Sequence, residues 1–115
     1  MLNHEKDVKK VEVSHPGAKK AMMKVLIGPE DGWEDHVMRT FEVGVDGYTP
    51  KHNHGWPHIN YILEGEGVLF LEGKENKIEK GSIAYIPAGE THQFKNTSDS
   101  KLVLMCIVPK KGHTF

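Results

Sequence analysis

Gly81-Ser82-Ile83-Ala84-Tyr85-Ile86-Pro87-Ala88-Gly89-Glu90-Thr91-His92-Gln93-Phe94-Lys95-Asn96 carries two short strand signals around one turn. Ser82 to Ile86 and His92 to Lys95 hold residues suited to a pleated, half-buried surface. Between them Pro87 fixes φ and Gly89 permits a tight reversal. The second strand opens on a histidine.

The same punctuation recurs outward from this stretch. Apolar and polar residues alternate over short runs, interrupted by Gly, Pro or Asp, and helix signals are weak. Strands are expected at Val8 to Val13, Met22 to Ile27, Ile59 to Leu63, Val68 to Leu71, Lys77 to Glu79 and Leu102 to Val108. Val37-Met38-Arg39-Thr40-Phe41-Glu42-Val43 alternates and is expected to end at Gly44-Val45-Asp46-Gly47. Glu64-Gly65-Glu66-Gly67 predicts a hairpin, because its glycines supply positive φ at no steric cost. Many short strands with turn punctuation predict an all-β sandwich or barrel, since closure removes exposed edges. Met1 to Lys6 and Lys110 to Phe115 read as polar tails.

With 115 residues the chain fits one domain around one core, expected to span 1–115 with the barrel at about 36–109 and N-terminal strands and a tail at 1–35. Hydrophobic residues are 37%, charged residues 27% and the net charge -1, a balance that excludes disorder and gives no basis for nucleic acid as a partner. No apolar run is long enough to span a bilayer, and the charged start lacks a signal-peptide core, so a cytoplasmic protein with no membrane partner is expected. Cys106 is the single cysteine, which excludes an intrachain disulfide and a thiolate zinc knuckle. Any metal would be held by imidazole.

The imidazoles are there. Lys51-His52-Asn53-His54-Gly55-Trp56-Pro57-His58 places His52 and His54 two apart, on one face if the segment is a strand, at roughly 7 Å between Cα atoms. Gly55-Trp56-Pro57 is expected to bend or bulge, because Pro57 has no backbone donor, and so to re-aim His58 toward the same point. His92 would arrive from another strand. His52, His54, His58 and His92 are therefore the candidate ligands of one divalent transition metal. His4, His15, His36 and His113 lie at irregular spacing in polar stretches and read as exposed surface residues.

These residues resemble the two motifs of the cupin superfamily. Gly47, His52, His54, His58 and Gly65 follow the first motif, and Gly81, Pro87, Gly89, His92 and Asn96 follow the second without a gap. The resemblance covers most of the chain and implies a small jelly-roll barrel with the metal inside one end. It gives Gly81, Pro87 and Gly89 structural roles in turns and Asn96 a bond to backbone. The chain departs from the common pattern at His58, where most metal-binding cupins carry glutamate, and has one residue fewer between Gly47 and His52. It is most similar to small single-domain cupins with four histidine ligands. That subgroup implies manganese, with iron, nickel and zinc open because imidazole suits them all. It also has a cysteine in the last strand.

Four neutral ligands leave the ion's charge uncompensated, which draws in anions, and remove the glutamate as a general base. Arg39 shares parity with Val37, Phe41 and Val43; it faces inward if that set lines the barrel, where it would clamp a substrate carboxylate, or outward if Met38 and Thr40 do. Cys106 reads as a buried inert thiol, while the resemblance implies that it borders the metal cavity and is open to oxidation there. Trp56 is a candidate shield of the metal mouth, Asn60 and Phe94 are candidate cavity walls, and Tyr61 is expected to pack. An open site implies a metal-dependent, dioxygenase-type oxidoreductase on a small organic substrate. The alternatives are metal-assisted isomerisation or ring opening of a keto sugar or uronate, and a non-enzymatic ligand or metal-binding module. A homodimer is expected, helped by an N-terminal strand without a hairpin partner.

Overall fold

A computed structural model describes residues 1–113. Among these residues nine strands form one curled sheet: β1 (Val11–Glu12), β2 (Lys19–Ile27), β3 (His36–Tyr48), β4 (His58–Glu64), β5 (Glu66–Leu71), β6 (Lys74–Glu79), β7 (Ile83–Ile86), β8 (Gln93–Lys95) and β9 (Leu102–Pro109). The order is β6-β5-β8-β3-β9-β4-β7, with β2 on β3 and β1 on β2. All pairs are antiparallel. The all-β jelly roll expected from the sequence is what forms. Among the described residues no helix is long and apolar enough to cross a membrane.

The sheet curls because β3 serves both halves. Val37 to Val43 pair with β9, whereas Tyr48 pairs with Lys95 of β8. β3 therefore does not end at Val43. Gly44 to Gly47 is a bulge inside the strand, with Asp46 at φ 65° and Lys20 opposite at φ 52°. Gly47 has no room for a Cβ beneath the carbonyls of Lys19 and Gly44. A turn-like composition here bends a strand instead of stopping it.

The hairpin expected at Glu64-Gly65-Glu66-Gly67 does not form. β4 pairs with β7 and β9, and β5 pairs with β6 and β8, so this link passes between the two halves of the sheet. Gly65 makes the corner at φ 84°, where a Cβ would run into the Lys101 carbonyl. The tight hairpin instead joins Leu71 to Lys74 through Glu72 and Gly73, both at positive φ.

Inward residues of the strands make one core. Val37, Phe41, Val43, Ile62, Leu69, Ile86, Phe94, Leu102, Leu104 and Val108 are all buried in it. Both termini are more ordered than polar tails. Glu5–Asp7 forms a 3-10 turn held by Lys24, and β1 finds its partner in β2 of the same chain. Lys110–Gly112 forms another turn whose Gly112 is buried against the Trp56 indole. Thr114 and Phe115 lie outside the described residues.

Candidate metal centre

Strand register lays inward side chains in rows across β3, β9, β4 and β7. Arg39 faces Cys106, Cys106 faces Asn60, and Asn60 faces Ala84. The next row toward the core is Phe41, Leu104 and Ile62. On the other side of the polar row, His58 pairs with Ile86. A polar row thus crosses the barrel floor between apolar ones. Arg39 is inward, with 2% of its surface exposed, which decides its parity.

The histidines stand over this floor. His52 and His54 are not in a regular strand: His52 forms an isolated bridge with His92, with each backbone N–H donating to the other's carbonyl. Gly55 and Trp56 bend the chain as expected, and β4 opens on His58. Gly89 completes the link by donating its N–H to the His54 carbonyl at 2.7 Å, so the two motifs are bound backbone to backbone. Asn96 donates to the Val43 and Ser100 carbonyls, the backbone role expected of it.

Ring nitrogens of His52, His54 and His92 lie within 4.8 Å of one another. His58 joins them, its Nε2 2.6 Å from His54 Nε2 and its ring centroid 4.7 Å from that of His92. Backbone carbonyls set two tautomers: His54 Nδ1–H donates to Trp56 O and His92 Nδ1–H donates to Glu90 O, each at 2.9 Å. Both residues then turn an Nε2 lone pair into the cluster. His58 consequently donates its Nε2–H to His54 in this state. Its Nδ1 becomes an acceptor, 3.5 Å from the Cys106 thiol, which donates to it.

Burial depresses the basicity of all four imidazoles. Desolvation, followed by His92 and His54, takes His52 to about 4, and the same causes in the same order take His58 to about 3. Desolvation also lowers His54 and His92, against their carbonyl hydrogen bonds. The cluster is neutral at physiological pH, the protonation state a metal requires. Burial pushes the Cys106 thiol up despite Arg39, so it stays protonated.

Between histidines and floor lies a cavity of about 30 Å³, lined by His52, His58 and His92, by Arg39, Asn60 and Cys106, and by apolar walls that include Phe41, Phe94 and Leu104. That is room for one or two water-sized groups. Phe94 and Asn60 both lie along this cavity. Trp56 is set back, stacked on His54 at 4.7 Å with an interplanar angle of 5°. Tyr61, expected to pack, is 42% exposed.

Two of the histidines read as surface residues are not fully exposed. His36 is half-buried and stacks on Trp33. His113 is half-buried with Nδ1 3.3 Å from Arg39 Nη1, and burial and that cation lower its pKa. No periodicity in the polar C-terminal stretch marked it. Phe41 and Leu104 were legible as strand partners of Arg39 and Cys106, while Thr49 and Pro50, which also line the cavity, carried no signal.

A curled jelly roll with a histidine cluster inside one end defines a class of barrel proteins. Residues 39–108 match Cupin_2, the cupin domain family, and the chain belongs to it. It is similar to the polyketide cyclase RemF from Streptomyces resistomycificus, at 35% identity and a TM-score of 0.89 over 95% of this chain and 78% of that one. It is also similar to a predicted oxalate decarboxylase from Thermotoga maritima, at 25% identity and a TM-score of 0.86 over 95% and 98%. An oxalate-binding protein from Thermotoga maritima is 36% identical over 58 residues, 50% of this chain. The chain spans under half the length of several of the curated relatives it matches, 40% of an uncharacterised Aquifex aeolicus protein and 48% of the oxalate-binding protein.

Proposed function

We propose that this cupin is a metal-dependent, dioxygenase-type oxidoreductase acting on a small chelating carboxylate, with His52, His54, His58 and His92 as ligands. The observation that carries the reading is a cavity in which the neutral imidazoles of His52, His58 and His92 face a buried arginine, with no carboxylate side chain among the lining residues. The donor set fits a divalent transition metal; manganese follows from the resemblance, and iron, nickel or zinc suits the same imidazoles. Such an ion supplies Lewis acidity and coordination positions beyond the four protein ligands.

The chain's own residues do the rest. Arg39 offers a planar fork to a carboxylate. Phe41, Phe94 and Leu104 keep water from the buried end, and Trp56 covers the outer face of His54. Lacking a carboxylate base, the cavity suits electron transfer better than proton abstraction. A cavity of about 30 Å³ admits only a few heavy atoms of the ligand.

Oxygen uptake by metal-loaded protein across a panel of small 2-oxo and 2-hydroxy acids tests this. Uptake is expected for at least one acid and is lost in His52→Ala and His92→Ala; uptake that is unchanged in metal-free protein refutes it. A second reading, metal-assisted ring closure or isomerisation without oxygen, is favoured by the 35% identity to a cyclase and by the neutral His113 imidazole beside Arg39. Turnover under argon selects it.

The partner we propose is a second copy of the chain. Outward side chains of the paired strands β4 and β7 leave Ile59, Tyr61, Leu63, Ile83 and Tyr85 exposed together. A contiguous apolar face on two strands, one at the end of the sheet, fits a two-fold interface.

A further inference from the structure

Asn60 is 2% exposed, and neither its Oδ1 nor its Nδ2 completes a hydrogen bond. A buried donor and acceptor left together cost the desolvation of both, and such groups mark an absent water or ligand. The side chain is held in place on three counts. β4 alternates inward and outward from His58, which fixes its direction; Cys106 and Ala84 flank it in register; and the cavity wall is where it ends. Ala84 is small, so its strand offers no group to reach the carboxamide. Cys106 donates to His58 at 3.5 Å, and although its sulfur lies near the Asn60 carboxamide, that contact does not reach hydrogen-bond geometry. The orphaned amide therefore faces the same cavity as His52, His58, His92 and Arg39.

A carboxamide in which both ends lack partners is a two-sided filter. Nδ2 needs an acceptor and Oδ1 needs a donor. A fully ionised dicarboxylate has acceptors only and leaves Oδ1 unpaired. A carboxylate that carries a neighbouring hydroxyl or enol O–H satisfies both at once. Either assignment of the amide nitrogen and oxygen gives this result, because both atoms are orphaned.

We infer that Asn60 is the specificity-determining residue of the cavity and that it selects a small 2-hydroxy-carboxylate or the enol of a 2-oxo acid over a dicarboxylate. This rests on the proposed reading that a chelating carboxylate lies between the histidines and Arg39, and adds which carboxylate it is.

The test uses manganese-loaded protein with glycolate and oxalate as probes, both bidentate chelators of which only glycolate carries an O–H donor. Their Kd values are measured by calorimetry in the wild type, in Asn60→Leu and in Asn60→Ala. Replacing Asn60 is expected to shift the glycolate-to-oxalate Kd ratio by about 10-fold toward oxalate, the loss of a buried hydrogen bond to a hydroxyl. Metal affinity is expected to be unchanged. Ligand-free Asn60→Leu is expected to melt above the wild type because two unsatisfied polar atoms are gone; if it does not fold, the smaller Asn60→Ala supplies the ratio. A ratio unchanged in the folded variant overturns the role of Asn60 while leaving carboxylate binding intact. Failure of both probes to bind the wild type overturns this inference and the proposed carboxylate substrate together.

Discussion

Adding metal at two pH values tests the cluster as a ligand set. Saturating protein with ion at about 100 times Kd stabilises the fold by about 2.7 kcal/mol. A chain of 115 residues melts with an entropy that converts each kcal/mol to about 4 °C, so Tm is expected to rise by about 11 °C at pH 7.5. Protons compete as pH falls, and the structure says by how much. At pH 5 an imidazole with the usual pKa of 6.5 is only about 3% neutral, and two of them would cost about 1000-fold in affinity. His52 at about 4 and His58 at about 3 remain about 90% neutral or more. The increment over metal-free protein at the same pH is therefore expected to fall between pH 7.5 and 5 by far less than four ordinary imidazoles would impose, His54 and His92 being lowered too. The metal-free baseline moves the other way. These folded pKa values lie below the unfolded value, so their contribution is full above about 6.5 and is lost as pH falls toward 4 and 3. Differential scanning fluorimetry with manganese, with His92→Ala as control, reads both effects. A metal increment that disappears by pH 6 would refute a preformed neutral cluster.

Cys106→Val removes the partner of His58 Nδ1 and is expected to weaken metal affinity by about 10-fold in a chelator competition, with the fold intact. Gly65→Ala places a Cβ on the Lys101 carbonyl at a φ of 84° and is expected to cost at least about 2 kcal/mol in urea unfolding. Ile83, 78% exposed, is expected to lie in the dimer face, so that Ile83→Lys gives a monomer mass by light scattering where the wild type gives a dimer. A monomeric wild type at micromolar concentration rejects that face.

Much of the barrel was readable because strand alternation is a local property. Val37 to Val43, Ile59 to Leu63 and Leu102 to Val108 each fall within an observed strand. What local pattern does not carry is pairing. Glu64-Gly65-Glu66-Gly67 has hairpin composition, yet the same positive φ that closes a hairpin also turns a corner between sheet halves, and only the partners of β4 and β5 distinguish the two. Gly44 to Gly47 was ambiguous for the same reason, since a bulge and a turn draw on the same residues. The histidine cluster was legible from spacing in two segments. The floor beneath it was legible only as separate candidates, because Arg39, Cys106 and Asn60 meet through register between strands far apart in sequence. His113 escaped because nothing periodic ties it to β3.

The histidine at position 58 gains a physical reason from that floor. It is 6% exposed, set beside a protonated thiol and one residue pair from an unsatisfied carboxamide. A carboxylate placed there would share the cavity with the Arg39 guanidinium, which favours its charged form and would tie the arginine to it. An imidazole stays neutral through the whole physiological range. It donates its Nε2–H to His54 and accepts from Cys106 at the other nitrogen. Were His58 to hold an ion through Nε2, as proposed, its proton would sit on Nδ1, where the Cys106 sulfur could accept it. His58 and Cys106 are therefore coupled: the thiol fixes which nitrogen of the imidazole carries the proton in a closed, neutral barrel. An all-imidazole cluster brings no negative charge of its own, so an anionic ligand beside Asn60, as proposed, would meet only neutral rings and the Arg39 cation.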